Sequence, residues 1–299
     1  LSARYESDSA VTDASGANIA VAVKADAGVI PSGSQLKVTA LGEGAADFIE
    51  NGDYTLHIGD ALQSYRAFKI AGVWQYGEEA DAAVFGKQPG DLKVEIPNME
   101  KISNGVWEKS FEQEDGTWKT NRYDAENPYS VNADDKQIIG HKSPDWSLGF
   151  QNTFTWKNFD LSIYMYLRQG QMFYYEPITW YSSSGGAFPS CFNYWTPENP
   201  SNDFPSLNAS RNWRDDQYYT SLAYVDGSFF KIKNITLGYT MPKRLCSKIG
   251  LTNLRVYGTI TNPLVIANSH LLEDYDPEMG GGLDFPLTKQ LVFGLNLSF

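Results

Sequence analysis

The stretch 146–167, WSLGFQNTFTWKNFDLSIYMYL, decides how this chain folds. In its first half Trp146, Leu148, Phe150, Phe154 and Trp156 alternate with Ser147, Gln151, Thr153 and Thr155, a period of two rather than that of a helix. In its second half Phe159, Leu161, Ile163, Met165 and Leu167 oppose Asp160, Ser162, Tyr164, Tyr166 and Arg168. The Lys157-Asn158 turn between them makes an antiparallel hairpin. At about ten residues each, both strands are long enough to cross a bilayer at a tilt.

The same texture returns further on, in SFFKIKNITLGYTM (228–241), NLRVYGTIT (253–261) and QLVFGLNLSF (290–299). In the last of these Leu291, Phe293, Leu295, Leu297 and Phe299 share a face against Val292, Gly294, Asn296 and Ser298. Long segments intervene. Residues 170–222 are rich in Tyr, Trp, Ser, Asn and Pro, and LLEDYDPEMGGGLDFP (271–286) is acidic and Gly-rich. Short turns alternating with long loops mark an outer-membrane barrel, tight on the periplasmic side and elaborate outside. A soluble sandwich would use strands of about five or six residues with turns roughly every eight to twelve. The fold class is therefore read as all-β: antiparallel transmembrane β-barrel strands with long extracellular loops, six to eight of them long enough to span.

Composition agrees with alternation. Aromatic residues make up 14% of 299, yet mean hydropathy is -0.38, because each apolar residue of such a strand is followed by a polar one. The formal charge of -12, from 24 basic and 36 acidic residues, opposes a nucleic-acid partner. No run approaches the roughly 18 to 20 apolar residues of a membrane helix. The opening LSARYESDSA has neither the basic start nor the apolar run of a signal peptide, so a leader has been removed or the N-terminus lies upstream of Leu1.

Chemistry-bearing motifs are scarce. Cys191 and Cys246 are too few for a disulfide framework and lie in no CxxC or Cys/His spacing, so they read as free or incidental. His57, His141 and His270 are isolated, and no HExxH, GxGxxG or P-loop pattern is present. The chain is read as no enzyme, with no catalytic residue and no cofactor. Asp274, Asp276 and Glu278, with Asp134 and Asp135, cluster hard oxygen ligands but lack EF-hand spacing; a solvated acidic loop is the weightier reading, and no metal is assigned.

Upstream, residues 1–50 are small and acidic, with two β-like runs, ANIAVAVKA (17–25) and SQLKVTAL (34–41), around Pro31-Ser32-Gly33. They read as a soluble-looking β segment or loop insertion and stay unassigned; residues 51–299 read as barrel. GEEADAAVFGKQPG (77–90) predicts a short helix with an acidic first turn, stopped by Gly86 and Pro89-Gly90. The polar stretch 97–144 reads as an extended loop with local strands.

Several of these segments, in this order, resemble a known family. They are AGVWQYGEEADAAVFGKQPGDLKV (71–94), DDKQIIGHKSPDWSLGFQNTFTWKNFDLSIYMYLRQG (134–170), YWTPENPSNDFP (194–205), YVDGSFFKIKNITLGYTMP (224–242), NLRVYGTITNPLVI (253–266), YDPE (275–278) and LVFGLNLSF (291–299). Together, from about Tyr54 to Phe299, they are similar to the C-terminal barrel portion of SusC/RagA-type TonB-dependent outer-membrane transporters of Bacteroidetes. The chain departs from that pattern in IPNMEKISNGVWEKSFEQEDGTWKTNRYDAENPYSVNADD (96–135), which is longer than usual and has no regular cation-loop spacing. The resemblance implies import of oligosaccharides or peptides through a barrel of about 22 strands closed by a plug. It also implies an outer-membrane location in a Gram-negative bacterium, a SusD-like surface lipoprotein as partner, and the TonB complex acting through parts not in this chain. Contact with outer-membrane lipid follows, as does a C-terminal assembly signal, Leu295, Leu297 and Phe299, read by the barrel assembly machinery. No plug is recognisable, and an open sheet edge is not viable in lipid, so the chain reads as part of a longer polypeptide.

The loop aromatics Trp180, Tyr181, Trp195, Trp213, Tyr218 and Tyr219 suit stacking on sugar rings or peptide side chains. An aromatic girdle or packing within the loop is the weightier reading. The competing function is a secreted or surface β-sandwich that binds glycans without transport. A sandwich buries Phe154, Ile163 and Leu295, whereas a barrel faces them outward. Deleting Phe299 from the full-length protein is expected to lower the yield of heat-modifiable barrel; an unchanged yield on unheated gels counts against the signal.

Overall fold

A computed structural model describes residues 11–12, 18–19, 22–25, 36–41, 45–51, 54–113, 115–175, 177–180, 192–206, 219–272, 275–282 and 287–299. In chain order the strands begin with β1 (Val11–Thr12), β2 (Asn18–Ile19), β3 (Ala22–Ala25), β4 (Leu36–Ala40), β5 (Ile49–Asn51), β6 (Tyr54–Leu56), β7 (Ser64–Ala67) and β8 (Lys69–Val73). Helix α1 (Glu79–Val84) precedes β9 (Leu92–Glu95), β10 (Met99–Ser103), β11 (Val106–Glu112), β12 (Trp118–Tyr123) and β13 (Gln137–His141). Then come β14 (Trp146–Trp156), β15 (Phe159–Gln169), β16 (Met172–Tyr174), α2 (Pro177–Trp180) and β17 (Tyr224–Asp226). Strand β18 (Phe229–Thr240), α3 (Lys243–Cys246), β19 (Asn253–Ala267) and β20 (Gln290–Ser298) complete the order.

Five long strands form one antiparallel sheet, in the order β14-β15-β18-β19-β20. Its register aligns the apolar halves of the alternation. Phe154 lies opposite Leu161, Leu161 opposite Leu237, Ile163 opposite Ile235, Ile235 opposite Ile260, and Ile260 opposite Leu291. One face of the sheet is thus apolar across all five strands, and it is open: Phe154 is 58%, Leu237 52% and Leu295 63% exposed. This is the outcome expected of a barrel wall, whose apolar band meets lipid, rather than of a sandwich, whose inner faces cover one another.

The opposite face is polar. Gln151 donates to Ser162 Oγ at 3.3 Å, and the hydroxyls of Thr236 and Thr259 lie 2.9 Å apart. Near the short-turn end, Asp160 on β15 and Arg255 on β19 reach each other across β18, with Arg255 Nη2 donating to Asp160 Oδ2 at 2.5 Å. The strand between them carries Gly238 at that point, and a Cβ there would come within 2.5 Å of Asp160 Oδ1. Glycine leaves the bridge its room.

Two expectations are corrected. Only five strands among the described residues reach spanning length, not six to eight, because the upstream run 54–73 breaks at the Gly59 turn and at the buried Phe68 into strands of three to five residues. Strand β19 does not stop at residue 261 but runs on to Ala267, with the register shifting at Asn262 and Pro263. Asn262 takes a positive φ of 52°, which is how the sheet absorbs a proline that cannot donate to the ladder. Within residues 97–144, expected as an extended loop with local strands, the local strands are β10, β11 and β12, which form a meander, and β13, which pairs with β7. The predicted helix is present as α1, with Gly86 in the left-handed region at its end. Of the first 50 residues, β3 and β4 pair as a hairpin, and the Pro31-Ser32-Gly33 turn lies outside the described residues.

At the loop end of the sheet, the long connections pack on one another. Phe68, Leu92, Phe173, Ile178, Phe204 and Leu272 sit in one buried cluster, joining residues more than 200 positions apart. Two buried ionic centres fasten the loops. Asp81 of α1 accepts from Lys101 Nζ at 2.5 Å, and from the Gly105 N–H and Trp107 Nε1 at 3.0 Å each, which ties the helix to the meander. Lys109, Tyr129 and Asp135 bond to one another inside the loop body, Tyr129 donating to Asp135 at 2.7 Å.

Arginine at position 163, on the apolar face, is expected to cost about 2–4 kcal/mol in the membrane, whereas arginine at the neighbouring Ser162 is expected to be tolerated. Urea unfolding of the full-length protein in liposomes measures both.

Candidate functional site

The polar face of the sheet, where it meets the loops, carries the densest set of functional groups. Arg168, Tyr164 and Tyr166 come from β15, Lys231 and Lys233 from β18. Two lysines two residues apart would both face the same way in any strand, but Asn234 joins them here. The pairing skips Lys233 as an extra residue between Ile232 and Asn234, a bulge that changes which residues face lipid along the rest of β18. Lys233 Nζ then lies 4.7 Å above the Tyr166 ring. Arg168 Nε donates to the Tyr166 hydroxyl at 2.8 Å.

A loop residue pair closes over these cations. Asp276 and Glu278 belong to the β19–β20 connection, at a 3₁₀ turn over Pro277–Met279 in which the Asp276 carboxylate accepts from the Glu278 N–H. Lys231, fully buried, donates to Asp276 at 2.5 Å and to Glu278 at 2.9 Å, and Lys233 bonds Glu278 as well. A buried ammonium is tolerable only with such partners. Burial pushes the Glu278 carboxyl up, but the bonds from Lys233 and Lys231 outweigh it and hold the group below its ordinary value. The reading of this segment as a solvated acidic loop is corrected, because its carboxylates are tied to the wall. Asp135 is likewise buried, Asp134 is exposed and donates its backbone N–H to Oδ1 of the capping Asn132, and Asp274 lies outside the described residues.

The singled-out aromatics separate. Trp195 is 5% exposed and donates its Nε1–H to Gln75 Oε1 at 2.8 Å; its ring stands 5.3 Å from that of Tyr76, which is 61% exposed. Tyr219 is 3% exposed and donates to the Ile178 carbonyl at 2.8 Å, within the loop core. Trp180 ends α2, while Tyr181, Trp213 and Tyr218 lie outside the described residues. Tyr76, Lys231 and Lys233 were not singled out from the sequence. The two lysines had a signal, KIK interrupting the loop end of an otherwise membrane-compatible strand, but their partners stand 45 and more positions away. Leu295, Leu297 and Phe299 follow one another along the apolar face of the last strand, Leu295 opposite Val256 and Leu297 opposite Leu254. Among the described residues no group of three or more His, Cys, Asp or Glu is placed to hold a metal ion. Cys246 is buried, and Cys191 lies outside the described residues.

A sheet of antiparallel strands nine to fifteen residues long, apolar on one face and polar on the other, with elaborate loops gathered at one end, is the wall of a transmembrane β-barrel. Comparison with known proteins makes the class more particular. The chain is 25% identical over 293 aligned residues to TonB-dependent receptor P3 of Formosa agariphila, covering 90% of this chain and 25% of that protein. It is 27% identical over 281 residues to TonB-dependent receptor P26 of the same organism, covering 86% of this chain and 25% of that protein. It is 25% identical over 175 residues to TonB-dependent receptor SusC of Bacteroides thetaiotaomicron, covering 57% of this chain and 17% of that protein. Among solved structures, the RagAB peptide transporter superposes with a TM-score of 0.60 at 22% identity, over 88% of this chain and 26% of that one, which supports the fold. No family model matches. The chain is thus a relative of the SusC/RagA-type TonB-dependent receptors, and it spans about a quarter of the length of the curated relatives it matches.

Glu278 has a folded value below its reference of 4.5, so the bond it makes contributes fully above that pH and is lost as pH falls through the lower, folded value. Hydrogen exchange at residues 275–282, corrected for intrinsic rates, is expected to show loop release on acidification below about 4.5. In a Glu278→Gln variant the loop should already be loosened at neutral pH, by about 1–3 kcal/mol.

Proposed function

We propose that this chain forms part of the wall and external loops of a SusC-like importer that carries oligosaccharides or peptides across the outer membrane of a Gram-negative bacterium. The observation that carries this reading is the two-faced sheet: one apolar side suited to lipid, and a polar side lined by Tyr164, Tyr166, Arg168 and the Lys231–Glu278 group. Polar groups arranged along such a wall offer a moving solute successive hydrogen bonds without a deep well. The relatives support the same reading, since they are named receptors and transporters rather than enzymes.

Residues 51–299 act in this scheme as barrel and loops, with residues 1–50 a soluble β segment or a loop insertion. Of the loop aromatics, Trp195 and Tyr219 serve packing within the loops, while Trp180, Tyr181, Trp213 and Tyr218 stay candidates for contact with a sugar ring or peptide side chain. A SusD-like lipoprotein covers the loops from outside, TonB supplies energy through parts of the protein that this chain does not include, and the barrel assembly machinery inserts the whole through its last strand. The RagAB structures are described as a peptide transporter and SusC is named only as a receptor, so saccharide and peptide both stay within the proposal.

Native isolation of the full-length protein from its outer membrane is expected to require detergent and to bring down a surface lipoprotein together with bound oligosaccharide or peptide, identified by mass spectrometry. A protein that remains in the aqueous phase, alone and without ligand, overturns the proposal.

A further inference from the structure

The short-turn end of the sheet runs against the charge of the chain. Residues 155–160, 239–255 and 296–299 lie at that end, because Phe159 pairs with Tyr239, Thr240 with Arg255 and Asn253 with Ser298. Their side chains include five bases, Lys157, Lys243, Arg244, Lys248 and Arg255, against one acid, Asp160, in a chain whose formal charge is -12. That acid is already engaged by Arg255. The other four bases are exposed and make no ion pair among the described residues.

Two further observations put these bases at a membrane surface. Trp156, Phe159 and Tyr239 belong to the apolar face at this end, Phe159 and Tyr239 with ring centroids 4.7 Å apart, and Lys157 Nζ lies 4.6 Å above the Trp156 ring. Aromatic rings at a strand end mark the level of the lipid headgroups. In the β18–β19 connection, α3 and the 3₁₀ turn after it expose Leu245 and Ile249, at 47% and 60%, four positions apart, while Lys243, Arg244 and Lys248 lie beside them. Bulky apolar groups flanked by bases are the pattern of a segment that rests on an anionic bilayer surface. An open cleft of about 270 Å³ lies between the two turns, with Lys157 and Lys243 in its lining beside Asp160, whose charge Arg255 answers, and with Thr155, Asn158 and Thr240 offering hydroxyl and amide groups.

We infer that this end of the sheet binds the headgroups of anionic phospholipids, with Lys157 and Lys243 on either side of a headgroup phosphate, Arg244 and Lys248 facing the surface, and Leu245 and Ile249 entering the acyl boundary. The inference rests on the proposed membrane location, since only a sheet that spans the bilayer holds its turns at the headgroup level. The binding is electrostatic and interfacial: each base near an anionic surface contributes about fivefold in partitioning.

The test uses the full-length protein reconstituted in bilayers of phosphatidylcholine with or without phosphatidylglycerol, followed by native mass spectrometry. The wild type is expected to retain phosphatidylglycerol over phosphatidylcholine. A variant carrying Lys157→Gln, Lys243→Gln, Arg244→Gln and Lys248→Gln is expected to lose that preference by roughly tenfold or more while still showing a heat-modifiable barrel. Equal retention of the two lipids by the wild type, an unchanged preference in the variant, or displacement of the lipid by millimolar inorganic phosphate overturns the inference. Failure of the wild type to insert at all would count instead against the membrane location itself.

Discussion

Backbone N–H and C=O groups have no water to turn to in a hydrocarbon layer, and each one left unpaired there costs several kcal/mol. That requirement governs the five long strands. It forces continuous antiparallel pairing from Trp146 to Ser298, and it makes register consequential, because a slip of one residue would turn Phe154, Leu237 and Leu295 from lipid to the polar side. Irregularities survive only where they are compensated. The bulge at Lys233 faces the irregular Asn262-Pro263 pair across the β18–β19 ladder, so the departure on one strand is met by a departure on the next.

Once pairing is fixed, the polar face becomes a place where charge must be managed. The sheet does this at one end by a bridge between two of its own strands across a glycine, and at the other with partners brought by a loop. Asp160 and Arg255 neutralise each other over Gly238. Lys231 and Lys233 are neutralised by Asp276 and Glu278, whose loop thereby becomes part of the wall surface. The β19–β20 connection is packed into the loop core through the buried Leu272 and is also held to this face by ion pairs. Interactions of that kind respond to pH and to charged ligands in a way that a packed core does not.

The loop body is built by a different rule. Its cluster of Phe68, Leu92, Phe173, Ile178 and Phe204 is an ordinary buried core, assembled from segments that are individually too short to show periodicity. Trp195 and Tyr219 have polar tips that find partners inside it, at Gln75 and at the Ile178 carbonyl. Aromatic abundance in a loop therefore reports both packing and surface, and Tyr76 beside Trp195 illustrates the two in adjacent rings.

Sequence by itself determined the faces of β14, β15 and β20, because period two over eleven or nine residues has one physical reading and single exceptions such as Asn152 and Val292 leave it intact. It also determined helix α1, whose stop at Gly86 is a local matter of backbone conformation. Tertiary structure alone decided the passage of β19 through Pro263, the bulge at Lys233 that puts Asn234 on the polar face, and the pairing of Lys231 with carboxylates 45 and 47 positions away. It likewise decided how the local strands over 99–123 pair, as a meander. Those features depend on which neighbour lies across the ladder or over the face, and no local pattern carries that information, since a bulge or a buried ion pair is stable only in the company of the residue that answers it.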